Sequence, residues 1–71
     1  EGVEVKLFSA ARSVIDAFRH ERLVGRNLAI ESLREALRQR KTTPGALADT
    51  AMRVGAWNKV RPYLEALTAD A

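Results

Sequence analysis

Cysteine is absent from this 71-residue chain, and histidine occurs once, at His20. Without thiolates there is neither a disulfide framework nor a thiolate zinc site, and one histidine provides no ligand set of metal-binding spacing. Glycine is sparse: Gly2, Gly25, Gly45 and Gly55 are too scattered to cradle a phosphate in a glycine-rich loop. Long apolar runs are missing as well. The longest stretch without a charge, residues 42–48, is too short to span a bilayer or to form the core of a signal peptide. The expectation is a cytoplasmic chain with no membrane partner. No internal repeat or low-complexity tract is present. A chain of this length buries only about 60% of the surface its unfolded form exposes, so stability must come from helix packing or from a partner.

Charge is plentiful and slightly one-sided. Twelve Lys+Arg stand against nine Asp+Glu, giving a net charge of +3, and nine of the twelve basic residues are arginine. That balance permits contact with phosphates or an acidic protein, without the concentrated charge of an arm that binds nucleic acid by electrostatics alone.

Hydrophobic periodicity divides the chain. Val3, Glu4, Val5, Lys6 and Leu7 alternate apolar and charged, which predicts a half-buried strand over residues 1–8. One strand needs a partner, from upstream sequence or from a second copy in a homodimer. Because the sequence starts at Glu1 and enters this strand at once, the chain reads as a piece of a longer protein. Residues 9–69 read as helical. Ser9 is placed to cap a first helix whose apolar face is Ala11, Val14, Ile15 and Phe18, with Arg12, Asp16 and Arg19 at ion-pairing spacings opposite. Gly25 is a stop, Asn27 a cap, and residues 28–40 a second helix with Ala29, Ile30, Leu33, Ala36 and Leu37 on one face. Thr43 followed by Pro44 marks the start of a third helix through Leu47, Ala51 and Val54 to Gly55. Trp57, Val60, Leu64 and Leu67 form the stripe of a fourth. The fold class expected is mainly α: a short N-terminal strand, then a four-helix orthogonal-type array, within a larger α/β or α+β domain.

Pro62 interrupts that last stripe. A proline in a helix interior removes a hydrogen bond at a cost of about 3 kcal/mol. If Asn58 caps the helix, the loss falls near a fraying end. If the helix begins near Ala56, Pro62 is interior and should kink it. Either start fixes how Trp57 and Tyr63 are presented.

No catalytic constellation emerges, no cofactor is implied, and the chain is expected not to be an enzyme. His20 reads as a histidine near a helix end. Ser9, Ser13 and Ser32 lack the glycine-flanked elbow that exposes a nucleophile. Glu31 and Glu35 lie one turn apart, but Arg34 and Arg38 flank them, so a salt-bridged solvent face is expected. The candidate contacts for nucleic acid or an acidic partner are Arg34, Arg38 and Lys41, close to one line down the second helix, with Arg40 beside its end. A helix-turn-helix is the competing reading: Leu47, Ala51 and Gly55 fit its first helix and turn, and Val60 and Leu64 could anchor its second. Against it, Arg61 falls where an apolar residue is expected, Pro62 lies inside the reading helix, and only Lys59 and Arg61 supply charge. A structural dimerisation element is the third reading. Trp57 and Tyr63 read as core aromatics.

Three stretches taken together, "SAARSVIDAFR" (residues 9–19), "GRNLAIESLREALRQRKTTPGAL" (25–47) and "VRPYLEAL" (60–67), resemble the C-terminal part of AbiEi-type antitoxins, from type IV toxin–antitoxin and abortive-infection loci of prokaryotes. The most specific residues are Ser9, Arg12, Asp16, Phe18 and Arg19, then Arg61, Pro62 and Tyr63, whose roles are expected to be mainly structural. The resemblance implies a transcriptional regulator that meets operator DNA through an N-terminal winged-helix domain, outside this sequence. It also implies a functional partner, a nucleotidyltransferase-like toxin. Residues 9–69 would be its helical antitoxin module.

Overall fold

The computed structural model describes residues 2–69, and those residues form five helices: α1 (Gly2–Arg19), α2 (Glu21–Val24), α3 (Arg26–Arg38), α4 (Pro44–Arg53) and α5 (Trp57–Thr68). The mainly α class stands, and the single turn of α2 is an element the periodicity did not mark. The expected strand is not found among the described residues. Residues 2–8 are the opening turns of α1, while Glu1, assigned to the same strand, lies outside the described residues. The physical reason is visible in Leu7, which packs against the core and extends the stripe Ala11, Val14, Ile15 and Phe18 by one more turn toward the N-terminus. Val5, by contrast, is 66% exposed, so alternation earns no burial for it. With no strand among the described residues to take its backbone groups, this segment satisfies them by continuing the helix. Ser9 is therefore an exposed residue inside α1 and not its cap, and its carbonyl accepts from Ser13 Oγ at 3.2 Å. Dimerisation by pairing of that strand loses its basis.

α1 is the element on which the others are assembled. It packs most extensively on α3 and α4, and it also touches α5. Its Ile15 and Phe18 are completely enclosed, together with Leu33 of α3, Leu47 of α4 and Val60 of α5. Burying a side chain of this kind stabilises the fold by roughly 1.5–3 kcal/mol. Between them lie buried alanines at 11, 29, 36, 46, 51 and 56, which let the helices approach closely. Phe18 also meets Tyr63 of α5, with ring centroids 5.4 Å apart and planes tilted by 34°.

The connections follow from individual residues. Gly25 adopts φ 89°, closing α2 and preceding α3, so α3 starts at Arg26 and Asn27 lies within its first turn instead of capping it. Thr43 is extended and its side chain accepts the Ala46 amide at 3.1 Å, with Pro44 in the first helical position, as the sequence predicts. Ala56, not Asn58, precedes α5, and the Lys59 and Val60 amides both return to its carbonyl. Pro62 is thus interior. Pro62 and Asn58 are both exposed, so water can reach the Asn58 carbonyl that Pro62 leaves without an amide.

One long-range bond fixes the loop after α3. The buried Thr42 hydroxyl donates to the Leu7 carbonyl at 2.8 Å, tying residues 39–43 to the N-terminal half of α1. No described helix is long and apolar enough to cross a membrane.

Phe18→Ala should destabilise the domain by about 3–5 kcal/mol, enough to unfold much of a chain whose total stability is of order 4–10 kcal/mol. Val5→Ala should stay within about 0.5 kcal/mol of the parent chain. Urea denaturation followed by circular dichroism distinguishes these outcomes, and a large loss in Val5→Ala would count against the helical placement of residues 2–8.

Candidate functional site

From residue 16 to residue 65 the acidic side chains are committed to the helices that carry them or to a near neighbour. Asp16 stands between Arg12 and Arg19, at 3.5 and 3.6 Å from one carboxylate oxygen. Glu21 faces Arg26 at 3.8 Å, Asp49 faces Arg53 at 3.0 Å, and Glu65 accepts from Arg61 at 2.8 Å. Glu31 accepts from Arg34 at 3.0 Å. Glu35 is held most firmly: Arg38 donates to both of its oxygens at 3.0 and 2.9 Å, and Gln39 adds a third bond. These pairs lie at the surface, where solvent screening leaves each of them little weight in stability. Their chemical consequence is larger than their energy, because every acidic residue from 16 to 65 already has a cation beside it.

The two carboxylates one turn apart on α3 are therefore a salt-bridged solvent face, as their flanking arginines predict. The bonds from Arg38, with further help from Gln39 and the charge of Lys41, hold the Glu35 carboxyl below its ordinary value against an opposing effect of burial, and reciprocally raise the Arg38 guanidinium. The same cause raises Arg61, through Glu65. His20 is exposed and its ring Nδ1 lies 2.9 Å from the Asp16 carbonyl, where it ends α1 as a local hydrogen-bonding group.

Among the described residues, five cations have no ion-pair partner: Lys6, Arg22, Arg40, Lys41 and Lys59. Three of them, Lys6, Arg40 and Lys41, line one cleft of about 380 Å³ with Leu7 and Ala10. No acidic residue lines it. A second cleft of about 320 Å³ is bounded by Arg34, Arg38, Leu37 and Leu67. The four residues predicted as partner contacts are thus divided between two places. Arg34 and Arg38 stay on α3 with their charge partly compensated, whereas Arg40 and Lys41 lie beyond the helix end and turn toward α1.

The division arises from the way α3 ends. After Gln39, Arg40 enters the left-handed region at φ 57°, its amide returns to the Leu37 carbonyl at 3.1 Å, and the Lys41 amide returns to Ala36 at 2.9 Å. This is the Schellman pattern. α4 ends in the same pattern: Gly55 at φ 75° returns its amide to Met52 and Ala56 returns its own to Ala51. Glycine takes this conformation freely, while a residue with a Cβ is strained there by roughly 1–2 kcal/mol. Arg40 is the only described non-glycine residue with positive φ.

Lys6 and Thr42 were missed as site residues. Lys6 was hidden by the strand reading of residues 3–7, although continuing the helical spacing back from Ala11 to Leu7 places Lys6 one turn before Ala10. Thr42 carries no sequence signal beyond its place before the Thr43 cap. The residues of the resemblance divide into two groups. Phe18 and Tyr63 meet in and beside the core, while Arg12, Asp16 and Arg19 form a surface ion cluster on α1. Arg61 pairs with Glu65, and Pro62 and Ser9 are exposed. Trp57 and Tyr63 are half-buried and packed against the core, as read.

Comparison with protein families, with curated proteins and with solved structures finds no match for this chain.

Arg38→Ala should return the Glu35 carboxyl toward its ordinary range, a change that carbon-detected NMR titration reads directly. The sign follows from the depressed pKa. The Glu35–Arg38 pair contributes its stability above the ordinary carboxylate range, and loses it as pH falls through the lowered folded-state value. In the variant that acid-dependent component disappears.

Proposed function

We propose that this chain is a non-catalytic helical module of an antitoxin-type transcriptional regulator, the kind of protein that residues 9–19, 25–47 and 60–67 resemble. In this reading it works in the cytoplasm as part of a longer protein, contributing to toxin neutralisation and to control of its own operon. Operator DNA is met through a winged-helix domain elsewhere in that protein, and the functional partner is a nucleotidyltransferase-like toxin. The single observation that supports a binding role is the allocation of charge. The carboxylates that acid–base chemistry would need are taken up by arginines, while Lys6, Arg40 and Lys41 gather without an acidic partner on one cleft. An anionic partner is the complement of that arrangement.

A second reading draws on α4 and α5. They are joined by only residues 54–56, with Gly55 in the left-handed region and Leu47, Ala51, Val60 and Leu64 buried. A helix-turn-helix is built in this way. The charge available to α5 argues for the first reading, because Arg61 is engaged by Glu65 and Lys59 is left alone as a free cation on that helix.

Two measurements separate these readings. In gel shifts on the promoter DNA of the longer protein at two salt concentrations, the longer protein should bind and this chain alone should bind weakly. Tight, salt-sensitive binding by the chain alone, abolished by Lys59→Ala, would favour the helix-turn-helix. In cells expressing the toxin, changing Arg34, Arg38, Arg40 and Lys41 together to alanine in the longer protein should impair neutralisation or operator binding. Full retention of both would remove these residues from the contact surface.

A further inference from the structure

We propose that the cleft lined by Lys6, Arg40 and Lys41 is a binding site for phosphodiester groups of a nucleic-acid backbone. The choice of nucleic acid as the source of phosphate rests on the regulator reading, whereas the site itself rests on three features of the molecule.

The first is convergence. Lys6 belongs to α1, and Arg40 and Lys41 to the loop after α3, yet the Thr42–Leu7 hydrogen bond of 2.8 Å ties that loop to that helix. Ordinary helix-end electrostatics accounts for a cation after α3, where the macrodipole is negative. It does not account for Lys6, which lies near the N-terminal end of α1, where the dipole gives a cation no help. Two elements with different local preferences deliver positive charge to one place.

The second is the conformation of Arg40. The two Schellman turns of this chain are a comparison within one molecule: the same backbone role is filled by Gly55 after α4 and by Arg40 after α3. Glycine at residue 40 would relieve backbone strain, so the arginine side chain is held against a local preference. Strain retained in this way points to a use for the side chain. An arginine lining a cleft, with its five donors in a rigid fork, is suited to phosphate oxygens.

The third is the lining. Leu7 and Ala10 are its apolar lining, and no carboxylate lines it, the Glu35 carboxylate within electrostatic reach of Lys41 being already bonded by Arg38 and Gln39. Neighbouring phosphodiesters on a stiff duplex present fixed charges at regular spacing. Three cations can then be matched without ordering a flexible acidic peptide.

The test uses the chain itself, with amide resonances followed by heteronuclear NMR while a short random-sequence duplex is added at about 50 and about 200 mM salt, the range over which counterion release is steep. Parallel titrations use pyrophosphate and a polyglutamate peptide. The expected result is salt-sensitive duplex binding with shifts concentrated at Lys6, Ala10, Arg40 and Lys41. Arg40→Gly should melt at a higher temperature than the parent chain and yet bind the duplex about tenfold more weakly, with the logarithmic salt slope reduced by about 0.9. Arg22→Ala removes the same unit of charge away from the cleft and should change binding much less. Equal loss in both variants would reduce the effect to net charge and overturn the site. So would undiminished binding by Arg40→Gly, shifts confined to α4 and α5, or no binding at all. Those outcomes leave the regulator reading to be judged on toxin neutralisation. Shifts with pyrophosphate or polyglutamate but not with duplex would overturn the assignment to nucleic acid.

Discussion

Burial of one face of α1 is the constraint on which the rest of the molecule depends. Ile15 and Phe18 are fully enclosed, and α3, α4 and α5 each contribute one fully enclosed large side chain to the same core, Leu33, Leu47 and Val60. A domain of this length has no reserve of apolar area, and the absence of cysteine removes any covalent staple. Alanines compensate by shortening the distance between helix surfaces. Six of them are buried, so the few large side chains are brought into contact by close backbone approach. Such a core leaves little tolerance for change in volume at Phe18 or Leu33, because small neighbours have few rotamers with which to refill a gap.

The surface obeys a different economy. Ion pairs at helical spacing supply little stability individually, and their main effect is to decide which charges remain available. Arg34 and Arg38 look equivalent to Arg40 and Lys41 in the sequence, since all four are basic and closely spaced. Their environments differ because α3 carries Glu31 and Glu35 one turn before the first two, and nothing acidic one turn before the others. A helix that ended three residues later would have kept Arg34, Arg38 and Lys41 close to one line, with Arg40 off to one side. Ending it at Arg38 turns Arg40 and Lys41 toward α1.

Much of this was legible beforehand, and the failures have specific causes. The stripe of α3, the Thr43–Pro44 start of α4 and the buried positions of α5 are each specified by local chemistry that does not need a tertiary partner. The Glu31 and Glu35 pairings follow from spacing alone. Residues 3–7 misled because five residues can satisfy a period of two and still extend a helix, and the deciding contact, Leu7 against the core and beneath Thr42, is made with sequence far away. Asn27 and Asn58 are good capping residues in composition, but Gly25 and Ala56 hold the positions before their helices. In both cases the turn preceding the helix sets where it starts: the φ of Gly25 in one, and in the other the Schellman turn that places Ala56.

The error at residues 3–7 also concealed the site. As a strand, Lys6 would have belonged to a sheet edge and its charge would have had no relation to the end of α3. As part of α1 it stands one turn from Ala10 and beside the loop that Thr42 ties down. A single decision about local structure therefore determines whether the chain has a two-sided basic cleft or a solubilising charge at each of two separate ends. The backbone at Arg40 bears on the same choice. A merely solubilising charge could sit on any exposed turn, whereas a charge kept on a strained residue, opposite a lysine from another helix, is placed where geometry matters. The core of this protein fixes α1, α1 receives the loop through Thr42, and that attachment turns three scattered cations into one surface.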